Sequence, residues 1–167
     1  QTDKAARFVA HARGATVFLT AGGLVVAPGA ERGSSRKGLR LTLVGASSKG
    51  GFTPTQPLQG RANYFVGRDP GKWRTGIPTF GRITERAVYP GIDVTYYGED
   101  GQVEYDFLVA SGADPSAIKI AFDGAERLSL DERGDLVLTT TQGAFRVKAP
   151  HAYQELVGRR RDIDARF

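Results

Sequence analysis

The chain has 167 residues, 40% of them hydrophobic and 25% charged, with 22 glycines, 8 prolines and a net charge of +5; this is the make-up of one ordinary folded domain rich in turns, not of a collagen, a coiled coil or a low-complexity linker. It has no cysteine, which excludes disulfides, thiolate nucleophiles and thiolate metal sites, and no apolar run long enough to insert in a membrane as a helix. Residues 1–90 carry a charge of +10 and residues 91–167 one of −5, but the basic side chains are dispersed, so they read as the solvent faces of strands and not as a nucleic-acid patch.

In chain order, Thr16–Thr20 and Leu24–Ala27 are almost continuously apolar and predict strands buried on both faces. Arg32–Lys37 is polar and Gly/Ser-rich, as is Ser47–Thr55; both predict exposed loops. Between them Leu39, Leu41 and Leu43 alternate with polar residues. The same period of two recurs in Ile92, Val94 and Tyr96, in Val103, Tyr105, Phe107 and Val109, in Ile118, Ile120 and Phe122, in Leu128 and Leu130, and in Phe145 and Val147. Such runs are half-buried antiparallel strands. Gly98–Gly101, Asp131–Gly134, Gln142-Gly143 and Val157-Gly158 are turn signals. Arg159-Arg160-Arg161 reads as a charged edge strand. Helical periodicity is confined to Asp69–Trp73 and Asp114–Ala117, where Asp caps a short turn and Pro follows it. The expected fold is all-β: one antiparallel, sandwich-like domain over residues 1–167, with ten to twelve short strands and one or two helical turns.

Candidate chemistry centres on the hairpin around Gly98–Gly101. A four-residue loop pairs Tyr97 with Gln102, sets Asp93 against Asp106 and Thr95 against Glu104, and puts all of them on one polar face. A three-residue loop pairs Gly98 with Gln102 and breaks up the dyad. Facing carboxylates need an Arg, a bound cation or a shared proton, and with 17 Arg in the chain the Arg is the ordinary solution. Close carboxylates are also what a retaining glycosidase uses, at a separation of about 5–5.5 Å. The acidic turns Glu99-Asp100 and Asp131–Asp135 carry calcium-type ligands without the spacing of an EF-hand. His11 and His151 are too few for a metal cluster. No serine sits in a nucleophile elbow and no phosphate-binding glycine loop precedes a helix, so no catalytic residue, metal ligand or cofactor is assigned. Trp73, Tyr64, Tyr89, Tyr96 and Tyr97 suggest an aromatic platform for sugars. Tyr96 and Tyr97 are adjacent and face opposite ways, so at most one serves any platform. The candidate contact surface is therefore Trp73, Tyr96, Tyr97, Asp93, Glu104 and Asp106.

The middle of the chain is its most distinctive part. Asn63-Tyr64-Phe65-Val66-Gly67, Asp69-Pro70, Trp73-Arg74-Thr75 and Ile77-Pro78-Thr79-Phe80 are followed by Val88-Tyr89-Pro90-Gly91-Ile92-Asp93, Tyr96-Tyr97-Gly98, Glu104-Tyr105-Asp106-Phe107, Gly112-Ala113-Asp114-Pro115 and Tyr153-Gln154-Glu155. This succession resembles the N-terminal domain, a domain of unknown function, of bacterial surface proteins that carry SBBP repeats, themselves expected to form seven-bladed β-propellers. The family pattern begins a few residues before Gln1, which implies an incomplete first strand. The resemblance implies secretion or a cell-surface location with the signal peptide outside this sequence, and a longer parent chain with repeats downstream. It implies no reaction. The expected role is a non-catalytic interaction module whose partners are domains of its own chain or a surface partner, a glycan among them, with no nucleic acid and no membrane insertion. The alternatives are carbohydrate binding through Trp73 and a sheet tyrosine, and glycoside hydrolysis by Asp93, Glu104 and Asp106.

Overall fold

The computed structural model describes residues 6–29, 38–141 and 143–167, which divide into two compact units, 1–121 and 122–167. In the first unit a five-stranded sheet has the order β1 (Phe8–Ala12), β2 (Ala15–Thr20), β3 (Gly23–Pro28), β4 (Leu39–Leu43) and β9 (Ile120–Asp123), whose last two residues pass into the second unit. A second sheet is a four-stranded meander of β5 (Phe52–Tyr64), β6 (Arg74–Tyr89), β7 (Ile92–Glu99) and β8 (Gln102–Val109). Alternation decides which face of each strand is inside. Val17 and Leu19, Leu24, and Leu39, Leu41 and Leu43 of the first sheet are buried, as are Ile83, Val88, Ile92, Val94 and Tyr96 of the second. The sheets are tied across this core by backbone as well as by apolar contact. Phe8 meets Phe52 edge to face at 5.6 Å. Ser47 N–H donates to Val88 O, and the Tyr89 hydroxyl lies 3.0 Å from Val44 O and 3.3 Å from Lys119 O.

The all-β, sandwich-like expectation holds, with fourteen strands among the described residues where ten to twelve were expected. The extra extent lies in β5 and β6, of 13 and 16 residues. The loop expected at Ser47–Thr55 ends early, because β5 begins at Phe52. Pro54, Pro57 and a positive φ of 53° at Gln56 disguise that strand. They are tolerated because β5 is an edge strand, where a missing N–H breaks no inner ladder. The apolar runs of β2 and β3 are not buried on both faces: Thr16, Phe18 and Val25 are only half-covered. Both short helical turns form, at Pro70–Lys72 and Pro115–Ala117, with the Asp69 and Asp114 carboxylates accepting from Gly71 N–H and Ser116 N–H. The loop expected at Arg32–Lys37 and the turn residue Gln142 lie outside the described residues.

In the second unit β10 (Arg127–Leu130), β11 (Leu136–Thr140) and β12 (Gly143–Val147) form an antiparallel sheet over buried Leu136 and Leu138. The strands β13 (Ala152–Leu156) and β14 (Arg159–Ile163) pair separately around Val157-Gly158, and β14 is the expected charged edge. The turn between β10 and β11 is organised by Asp131, whose carboxylate accepts from the N–H groups of Arg133 and Asp135 and from Arg146. Partial desolvation opposes the charge, but those donors outweigh it and hold the Asp131 carboxyl below the ordinary aspartate range. Asp135 accepts from Ala149 N–H and Arg146. Of the carboxylates weighed as calcium ligands, Asp131 and Asp135 are thus engaged by their own chain.

One charged residue sits in the core of the first unit. Glu85 is 1% exposed, and its Oε1 accepts from Gly22 N–H at 2.9 Å, joining the two sheets. Its Oε2 and the Tyr96 hydroxyl have no hydrogen-bond partner. Burial pushes the Glu85 carboxyl above its ordinary value, and the Gly22 bond only partly offsets this. A raised carboxyl pKa means that the fold prefers the protonated form. The stabilising contribution is complete below the unfolded glutamate value and is lost as pH rises through the folded one. Chemical denaturation as a function of pH should therefore show Glu85→Gln gaining stability relative to the native chain as pH rises from 4 to 8, a gap independent of pH being the contrary result.

Candidate functional site

The β7–β8 hairpin turns on two residues, Asp100 (φ 50°) and Gly101 (φ 77°), and pairs Glu99 with Gln102. This is the primed turn that an Asp-Gly pair favours, since both central residues need positive φ. Both sequence-derived registers are corrected by it. Asp93 stands opposite Leu108, Asp106 opposite Thr95, and Glu104 opposite Tyr97. Asp93, Glu104 and Asp106 share the outer face of the sheet, as alternation requires, but Asp93 and Asp106 do not face each other.

Each of these groups has a local task. Asp93 Oδ1 accepts from Ala87 N–H at 2.7 Å, and its Oδ2 lies 3.4 Å from Arg86 Nη1. Ala87 has φ 49° within a bulge that shifts the β6–β7 register between Glu85 and Tyr89. Asp93 therefore holds the bulge that brings Val88 back to the core after Glu85. The Tyr97 hydroxyl donates to Asp106 Oδ1 at 3.1 Å, and the Arg82 guanidinium lies 4.4 Å from the centre of its ring. Partial burial, with the neighbouring Asp106 carboxylate, pushes the Tyr97 phenol up to about 12. Thr84 and Thr95 hydroxyls join Arg82 and Tyr97 into a continuous polar stripe, 2.9 Å apart. Among the described residues no three His, Asp or Glu side chains are grouped to hold a metal ion.

The aromatic candidates are not brought together. Tyr96 is 3% exposed and belongs to the core, so it is withdrawn from the contact surface. Tyr97 is on the outer sheet face, whereas Trp73, just before β6, is nine residues along the chain from Tyr97's partner Arg82, roughly 30 Å if extended. Trp73 lies instead at the tip of an arm made by the outer parts of β5 and β6. No residue from 54 to 79 is buried. The arm satisfies itself: Asn63 Oδ1 accepts from Gly76 N–H, the Thr79 hydroxyl donates to Gly60 O, and Arg61 donates to Gly76 O. At its tip Trp73 meets Phe65 edge to face at 5.2 Å and donates from Nε1 to Gly67 O. Leu58, Phe65, Val66 and Trp73 are exposed, Phe65 and Val66 by 62% and 67%. An apolar set displayed on a stiff projection is a contact surface in form.

The chain matches over residues 1–167 the family model described as a domain of unknown function, DUF7948. It belongs to that family. No curated protein and no solved structure shows significant similarity to it. The family thereby covers both compact units, the arm and the hairpin. No helix among the described residues is long and apolar enough to cross a membrane.

The sequence reading quoted Phe65 and Val66 only as marks of resemblance, weighed Tyr64 besides as part of an aromatic platform, and assigned Leu58 nothing. Pro and Gly along β5 and β6 hid the arm that displays them. Glu85 was also missed, although it occupies the apolar phase set by Ile83, which is the signal that would have found it. Because the arm tip is outside the core, Trp73→Ala should lower Tm by less than about 3 °C. A thermal melt showing a core-like loss of 10 °C or more would make the tip structural.

Proposed function

We propose that this domain is a non-catalytic contact module, and that the β5–β6 arm is its principal contact element. The observation that carries this reading is the exposure of Leu58, Phe65, Val66 and Trp73 on a projection with no buried residue. Apolar side chains held in water on a self-satisfied hairpin contribute little to folding and are available to a partner. The hairpin carboxylates support the same conclusion from the other side. Asp93 is engaged by Arg86 and by the β6 bulge, and Asp106 accepts from Tyr97. Asp93 and Asp106 do not face each other across the hairpin, as the close pair weighed for retaining glycosidic chemistry would.

The finer reading extends the resemblance carried by Asn63–Phe80 and Val88–Phe107. On it the module stands at the N-terminus of a secreted or cell-surface bacterial protein with SBBP repeats, and its partners are those repeats or a molecule at the surface. A panel of glycoside, ester and peptide substrates should show no turnover. Turnover that disappears in Asp93→Ala or Asp106→Ala, in protein that retains its fold, would overturn the contact-module reading.

A further inference from the structure

The arm does more than project: its tip, at Tyr64, Val66 and Arg74, borders the outer face of β1 and β2, and together they line a groove of about 380 Å³. The pairs Val9–Phe18 and His11–Thr16 are two residues apart along the β1–β2 ladder, which puts these four side chains on one face, opposite buried Val17 and Leu19. The arm supplies Tyr64 and Arg74, which are cross-strand partners, and Val66. The size is that of a small-ligand site, but the groove is open and predominantly apolar.

We infer that this groove binds an acidic polysaccharide, one whose sugar rings carry carboxylates. The inference rests on the contact-module reading and gives that module its ligand class. The aromatic rings of Phe18 and Tyr64 offer apolar surface to the C–H faces of a pyranose, and Thr16, His11 and the Tyr64 hydroxyl offer hydrogen bonds. Charge decides the sign of the ligand. Among the described residues no acidic side chain lines the groove. The Arg74 guanidinium has neither an ion-pair nor a hydrogen-bond partner in the structure, and its planar fork matches a carboxylate. Along the arm Arg61, Arg68, Lys72 and Arg74 are opposed only by Asp69, which stands 3.9 Å from Lys72. The geometry disfavours an acidic peptide. The floor is the face of the sheet and not its β1 edge, so a peptide lying in the groove adds no strand to the ladder and would lose the main source of its affinity. A nucleic acid needs a series of phosphate contacts, and the groove has a single arginine.

Affinity electrophoresis of the whole chain through gels containing polygalacturonate tests this, with amylose as the neutral control. Retardation is expected in polygalacturonate alone. Arg74→Gln should weaken it about ten-fold, the worth of one charged hydrogen-bonding pair, and Val66→Asp should weaken it at least as much. Arg68→Gln, an arm cation outside the groove, should change it by less than about two-fold. Each variant is first matched to the native chain by circular dichroism and Tm. Absence of retardation overturns the inference, as does equal loss in Arg68→Gln and Arg74→Gln, or equal competition by poly-glutamate or an oligonucleotide. Those failures leave the contact-module reading intact. Hydrolysis of the polymer would instead overturn the contact-module reading and leave the groove in place.

Discussion

The inner faces of two sheets must leave water together, and the first unit is arranged around that requirement. Val17, Leu19, Leu41 and Leu43 on one side and Ile83, Val88, Ile92 and Val94 on the other are buried, each removing on the order of 2 kcal/mol of apolar exposure. The polar features follow from it. Asp93 secures the bulge that returns Val88 to the core, and the Tyr89 hydroxyl reaches backbone at Val44 and Lys119. Among the described residues Glu85 is the one charged residue buried there. Its bond to Gly22 N–H links the sheets, while its second oxygen is unsatisfied, so a protonated carboxyl is the form the core tolerates.

Outside that core the same four-stranded sheet serves a different end. The inner parts of β5 and β6 complete the sandwich; their outer parts leave it and carry apolar side chains and arginines into solvent. The β7–β8 hairpin, by contrast, displays Glu99, Asp100, Glu104 and Asp106. The arm carries +3 of the first half's charge and the β7–β8 hairpin five carboxylates with no basic side chain, so one unit bears a basic arm and an acidic hairpin. Like-signed groups are thus concentrated on separate projections, which leaves the arm attractive to anions.

Local signals were legible wherever one short rule governed the backbone. Alternation fixed the strands at Leu39–Leu43, Ile92–Tyr96 and Val103–Val109, and the Asp-Pro pairs fixed both helical turns. The inside and outside of the hairpin were read correctly, since parity alone decides them. Its register was not, because the Asp100-Gly101 pair was taken into a longer loop. The arm was obscured by Pro54, Pro57, Gly60 and Gly76, punctuation that an edge strand tolerates and a central one does not. The groove could not be read at all. Phe18 and Arg74 meet through packing of segments more than fifty residues apart, and no local pattern encodes that.

Native-state amide hydrogen exchange addresses the central claim directly, that stability resides in the sandwich and the arm stands outside it. Arm amides such as Arg61 and Ile77 should exchange by local opening, at least about 100-fold faster than Val94 and Tyr96, whose exchange requires global unfolding. Protection of the arm equal to that of β7 would mean that it unfolds only with the core, and would contradict the account.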